Sequence, residues 1–142
     1  MRLLRNGLIA IGVLFMTTQI GGAQQLSTKN TLPAPAGFEQ VSPCIPFMGV
    51  HYAKKETMPL GPILGYDEKG KLIFLEYMIS QKDFAAGKTW PRLPGLAGRS
   101  IEHIDIEFLP KGHEGFEQPH YDLHFYFVAH QEHMKICPPK KS

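Results

Sequence analysis

Residues 101–109 read I-E-H-I-D-I-E-F-L, with Ile104, Ile106 and Phe108 alternating against His103, Asp105 and Glu107. Period-two alternation of this kind puts the two sets on opposite faces of a β-strand. The stretch "PHYDLHFYFVAH" repeats it, with Leu123, Phe125 and Phe127 between His120, Asp122, His124 and the following residues. A polar, Gly-containing connection, "PKGHEGFEQ", predicts that the two strands form a hairpin, which would gather six ionisable side chains on one face. Upstream, "PILGY" and "KLIFLEYMI" flank the polar turn "DEKG" and predict a second hairpin. The second arm is apolar on both faces, as a central strand should be. "FMGVHYA" predicts a further strand and "SQKDFAAG" at most a short helical turn. Pro and Gly punctuate the chain so often between residues 43 and 119 that long helices are excluded over most of it. The pattern predicts an all-β or β-rich α+β fold, a small antiparallel barrel or sandwich, with no internal repeat.

The ends of the chain bear on compartment. Arg2 and Arg5, the apolar run "LIAIGVLFM" and the small residues Gly21 and Ala23 have the order of a secretory signal peptide cut before Gln24. That run is short of the roughly 20 apolar residues a stable span needs, so no stable membrane insertion is expected once the leader is removed. The expected organisation is a signal peptide at 1–23, a flexible arm at 24–40, one β-rich domain at 41–137 and a flexible tail at 138–142. Losing the leader arginines leaves 13 of the 15 basic residues against 13 acidic ones. A near-neutral chain with scattered Lys and Arg lacks the basic face that binds phosphates, which argues against a nucleic-acid partner. Export, to periplasm or medium, also makes Cys44 and Cys137 candidates for a disulfide tying the ends of the domain together.

The chemistry rests on histidines and carboxylates. On a strand, i and i+2 side chains stand about 6.5–7 Å apart and can converge, whereas i and i+4 are roughly 13 Å apart. His120 with Asp122, or Asp122 with His124, is therefore the expected bidentate pair, completed from neighbouring strands by His51, Glu76 or His103. Imidazole and carboxylate together suit a divalent transition ion, zinc first and copper where imidazoles dominate. Glu76 stands out, because an acid surrounded by Leu72, Phe74, Leu75, Met78 and Ile79 is costly to bury unpaired. A metal would make it a ligand; without one its pKa rises and it becomes a candidate general acid or base, as does Asp122. A salt bridge to Arg92 or Arg99 is the plainer alternative for Glu76. His113 reads as a loop histidine, solvated in the plainer reading and able to close over a site in the other, and His130 and His133 read as surface histidines. There is no GxSxG, no phosphate-cradling Gly loop and no CxxC.

"PCIPFMGVHY", the "LGYDEKGKLIFLEYMI" hairpin and "LPKGHEGFEQPHYDLHFYF" resemble a small exported bacterial family of uncharacterised function, typified by a ring-forming Thermus protein under extracytoplasmic-stress sigma-factor control. The resemblance spans roughly residues 43–130 and implies a β-rich domain and a homo-oligomer; it brings no catalytic residue. The His120-x-Asp122-x-His124 strand is also loosely similar to cupins, although the downstream acid that cupins require is displaced to Glu132.

Two functions follow as expectations. One is an exported metal-binding β-domain using the His/Asp/Glu cluster, with a metal-dependent reaction as its enzymatic form. The other is a non-enzymatic envelope or extracellular assembly protein whose aromatic strand packs a subunit interface. A small-molecule ligand in the barrel interior, lined by Phe74, Met78 and Trp90, is a weaker third.

Overall fold

The computed structural model describes residues 34–139. The expected signal peptide and the first part of the expected arm lie outside the described residues. No helix among the described residues is long and apolar enough to cross a membrane.

Six strands form one antiparallel sheet: β1 (Glu39–Gln40), β2 (Val50–Ala53), β3 (Ile63–Tyr66), β4 (Leu72–Ser80), β5 (His103–Leu109) and β6 (His120–Tyr126), in the order β1-β2-β3-β4-β6-β5. Both expected hairpins are present. In the first, Asp67 Oδ1 accepts from the backbone N–H of Lys69 and Lys71, closing the turn between β3 and β4. The second turns back so that β6, not β5, lies beside β4. The sheet shows the expected β-rich antiparallel class, and no ladder among the described residues joins β1 to β5. β1 begins inside the stretch expected to be an arm, pairing Glu39 with Ala53 and Gln40 with Tyr52. Two short helices complete the chain, α1 (Gln81–Ala85), capped by Ser80 Oγ, and α2 (His130–His133).

β4 is buried along nearly its whole length, as its double apolar pattern demands. Its two faces differ. Leu75 and Tyr77 pack with Leu64 and Tyr66 in a cluster closed by Leu93 and Leu96 from the crossing between α1 and β5. On the other face Phe74, Glu76 and Met78 look toward His120, Asp122 and His124 of β6. Apolar groups bound this polar strip at both ends: Ala53, Ile63, Met78 and Phe116 at one, Ile73, Phe74, Tyr126, Val128 and Ile136 at the other. Cys44 and Cys137 lie at disulfide-bonding distance, Cα to Cα 6.1 Å across 93 residues of sequence, and pin the C-terminal segment beside the second cluster.

A single glycine makes room for the strip. Gly65 of β3 lies opposite both His51 of β2 and Phe74 of β4, and a Cβ there would stand 2.2 Å from the Phe74 ring. The ring fills that space and meets His51 and His124 edge-on, at 5.2 and 4.9 Å between centroids.

Candidate metal centre on the polar face of the sheet

The ladder register decides which ionisable groups meet. Glu76 pairs with His124, and His51 lies two strands away on the same face, opposite Gly65. The Phe74 ring lies over Gly65, and the His51 ring stands edge-on to it with Nε2 turned toward Glu76. His51 Nε2 stands 3.8 Å from Glu76 Oε2, and His124 Nε2 stands 3.7 Å from Glu76 Oε1. All three residues are buried, Glu76 to 3 % and His124 to 2 % exposure.

These contacts are too long to be hydrogen bonds, and Glu76 Oε2 and His124 Nε2 have no other partner among the described residues. The proton positions sharpen the point. Ser42 has one hydroxyl proton, which goes to the Pro43 carbonyl at 2.8 Å, so its oxygen accepts both from the His51 backbone N–H and from His51 Nδ1 at 2.9 Å. That places the His51 proton on Nδ1 and leaves Nε2 as an acceptor facing the Glu76 carboxyl. Burial holds the pair of imidazoles neutral, pushing His51 down to about 4 and His124 to about 3. Burial, and secondarily the charge of Asp122, drives Glu76 well above the ordinary carboxylate range. The plainer alternative of a salt bridge to Arg92 or Arg99 is not what the structure contains; among the described residues the ion-pair neighbours of Glu76 are the two histidines.

Around a tetrahedral ion with bonds of about 2.0–2.1 Å, ligand atoms are separated by roughly 3.3 Å. The ligand atoms of His51, Glu76 and His124 all lie within 4.8 Å of one another, a few tenths of an ångström to about 1.5 Å wider than that. Two imidazoles and a carboxylate, with the second nitrogen of one imidazole held by a neighbour, make a donor set that fits zinc or a related ion with one position left open.

His120 and Asp122 form a second, separate pair on β6. His120 Nδ1 donates to the Gln118 carbonyl at 2.7 Å, which leaves Nε2 as the acceptor, 3.1 Å from Asp122 Oδ1. Neither atom has a hydrogen-bond partner among the described residues. Burial raises the Asp122 carboxyl, while His120 pulls it back. His113, exposed on the loop between β5 and β6, meets the His120 ring at 4.9 Å, and Phe116 covers its other side at 4.4 Å.

The six expected ligands thus fall into three groups instead of one. His51, Glu76 and His124 converge; His120 and Asp122 pair with each other near His113; His103 stands at the far end of the strip with Asp105, His130 and His133. The strand geometry that separates His120 from His124 is the cause. Reading His130 and His133 as a surface pair fails for His133, which is 4 % exposed beneath His103. The signal that could have found it is the i, i+3 spacing immediately after a strand whose alternate residues are already polar. Ser42, which sets the His51 tautomer, carries no signal in sequence. Cys44, Glu68 and Cys137 also lie close together, but the cysteine sulfurs are joined and Glu68 accepts from the Cys137 backbone N–H at 2.7 Å.

No family model matches the chain, and no curated protein does. Among solved structures it is similar to the hypothetical protein TTHB210 from Thermus thermophilus, with a TM-score of 0.61 and 24% identity. The match covers 69% of this chain and 93% of that one. At this identity the likeness extends to the fold.

Proposed function

We propose that this chain is an exported metal-binding β-domain whose resident centre is His51, Glu76 and His124. The observation that carries the reading is the convergence of three buried groups, with His51 Nε2 and His124 Nε2 standing 3.8 and 3.7 Å from the two Glu76 oxygens and no hydrogen bond made between them. Two neutral imidazoles and a buried carboxyl with a raised pKa leave polar atoms unsatisfied among the described residues, and a divalent cation taking the place of the carboxyl proton would satisfy all three groups at once. Zinc suits the donor set best, with copper second because two of three donors are imidazoles. The leader-like N-terminus and the cysteine pair support an oxidising, extracytoplasmic setting.

When bound, such an ion supplies Lewis-acid polarisation of a substrate oxygen or an activated water. In an enzymatic form, Glu76 is committed to the ion and Asp122, one step along the same face, is the group that moves a proton. Its raised pKa and the adjacent His120 suit it to that task.

The test is metal content and thermal stability of untagged protein against zinc, copper, manganese and iron. At a hundredfold excess over Kd, an ion stabilises by about 2.7 kcal/mol, and at about 4–8 °C per kcal/mol that is a rise of roughly 10–20 °C. The double substitution His51→Ala with His124→Ala removes that rise and one metal equivalent. Retention of every equivalent by that variant would contradict the reading.

A second reading has its own observation. The outer face of edge strand β5 exposes Ile104 at 51% and Ile106 at 66%, with Phe108 beside them, a stripe suited to packing against another subunit. In that reading the protein is a non-enzymatic assembly unit. Light scattering of the wild type and of Ile106→Lys separates the two, since only assembly depends on the stripe.

A further inference from the structure

We infer that His103, Asp105, His130 and His133 form a second divalent-metal site, independent of the buried centre, that clamps α2 to the edge of the sheet. The four residues come from two places. His103 and Asp105 share a face of β5, and His130 and His133 lie on one side of α2 through their i, i+3 spacing. The end of β6 brings them together, because α2 follows it after three residues and folds back over Tyr126.

Tyr126 fixes the rings. His103 stacks on it at 4.5 Å between centroids and 5° between planes, and His133 leans on the same ring at 4.3 Å. His103 Nε2 then stands 3.1 Å from His133 Nδ1 and 4.0 Å from Asp105 Oδ2. The nitrogen separation is close to the roughly 3.3 Å expected between two ligands of a tetrahedral zinc ion. His130 meets both other imidazoles edge-on, at 5.5 and 4.6 Å between centroids. One ligand atom from each of the four residues lies within 4.8 Å of every other.

A simple hydrogen-bonded pair accounts for less of this arrangement. It uses His103 Nε2 and His133 Nδ1 alone. It gives no role to His130 and Asp105 converging on the same point. Three nitrogens and one oxygen complete a four-coordinate shell and leave no position open, the mark of a structural rather than a catalytic ion. Imidazole dominance selects zinc, copper or nickel over magnesium or calcium. His130 is exposed and His103 is half-buried, so an ion reaches this site directly from solvent. The ion would hold the C-terminal segment, whose Ile136 enters the core and whose Cys137 is already tied to Cys44.

The experiment is calorimetric titration of the untagged full chain with zinc chloride, alongside three variants. Wild type takes up two equivalents. His130→Ala, a change at an exposed position that leaves the fold intact, weakens one equivalent at least tenfold. His103→Asn with His133→Asn, checked for folding by circular dichroism, abolishes that equivalent and keeps the other. His51→Ala with His124→Ala shows the converse and keeps the outer equivalent, so failure of the buried centre is read separately. Unchanged zinc affinity and stoichiometry in His130→Ala and in the His103/His133 variant would overturn the inference.

Discussion

Replacing Glu76 by methionine separates a ligand from a structural acid. The carboxyl is buried, its Oε2 has no hydrogen-bond partner among the described residues, and its nearest polar neighbours are two imidazoles that burial keeps neutral. In the metal-free protein it therefore gains no charge pairing and carries an orphaned acceptor, a cost of about 1–3 kcal/mol. Were the acid instead engaged in an ion pair with charged histidines, removing it alone would cost about 3–5 kcal/mol. Methionine is close in volume to the glutamate and follows the apolar pattern of Phe74 and Met78 on the same face of β4. Relief of the orphaned acceptor, about 1–3 kcal/mol, corresponds to a rise in Tm of roughly 4–20 °C for a domain near 100 residues. Thermal denaturation after chelator treatment measures it, and a zinc titration of the same sample shows whether one equivalent has gone. The account expects a more stable metal-free protein that has lost one zinc equivalent. A metal-free Glu76→Met variant that melts several degrees below wild type would refute it, because the acid would then be engaged in a net favourable pair with protonated histidines.

Further outcomes follow from the same geometry. His51 and His124 have folded pKa values near 4 and 3 against about 6.5 unfolded, so the unfolded chain binds more protons between those values and their contribution to stability is lost as pH falls from about 6.5 toward 4. Glu76 acts in the opposite sense, destabilising as pH rises above its unfolded value. In Glu76→Gln the histidine contribution stands alone, and Tm of the metal-free variant climbs between about pH 4 and 6.5; a flat profile contradicts the neutral-histidine assignment. Gly65→Ala drives a Cβ to 2.2 Å from the Phe74 ring and lowers stability by at least about 1–3 kcal/mol, read by urea denaturation, with no loss if the ring can swing aside freely. Cys44→Ser with Cys137→Ser opens a loop of 93 residues and costs about 4–5 kcal/mol in the chain-entropy model, measured as a lower denaturation midpoint.

Much of the fold is legible in the sequence because it is local. The alternation in 103–108 and 120–127, the turn "DEKG" and the double apolar pattern of "KLIFLEYMI" each report a single strand or hairpin, and all appear in the sheet. Glu76 is legible as an anomaly, since one acid among five apolar neighbours on a central strand demands a partner. The partners are harder to see. His124 meets Glu76 only because β6 inserts between β4 and β5, a pairing of segments distant in sequence that no local pattern encodes. His51 reaches the same point from two strands away, alongside a Phe74 ring that the absent side chain of Gly65 lets fold down onto β3. His133 is only half legible: its i, i+3 spacing to His130 is there to read, but α2 is four residues long, too short to show helical periodicity, and the burial of His133 comes from packing on Tyr126.

Anomalous X-ray scattering at the zinc edge from crystals of the zinc-saturated protein addresses the centre most directly. The account predicts a peak bonded to His51 Nε2, the Glu76 carboxylate and His124 Nε2, at about 2.0–2.2 Å from each. Saturated crystals with no density between those three groups, whatever zinc they hold elsewhere, would contradict it.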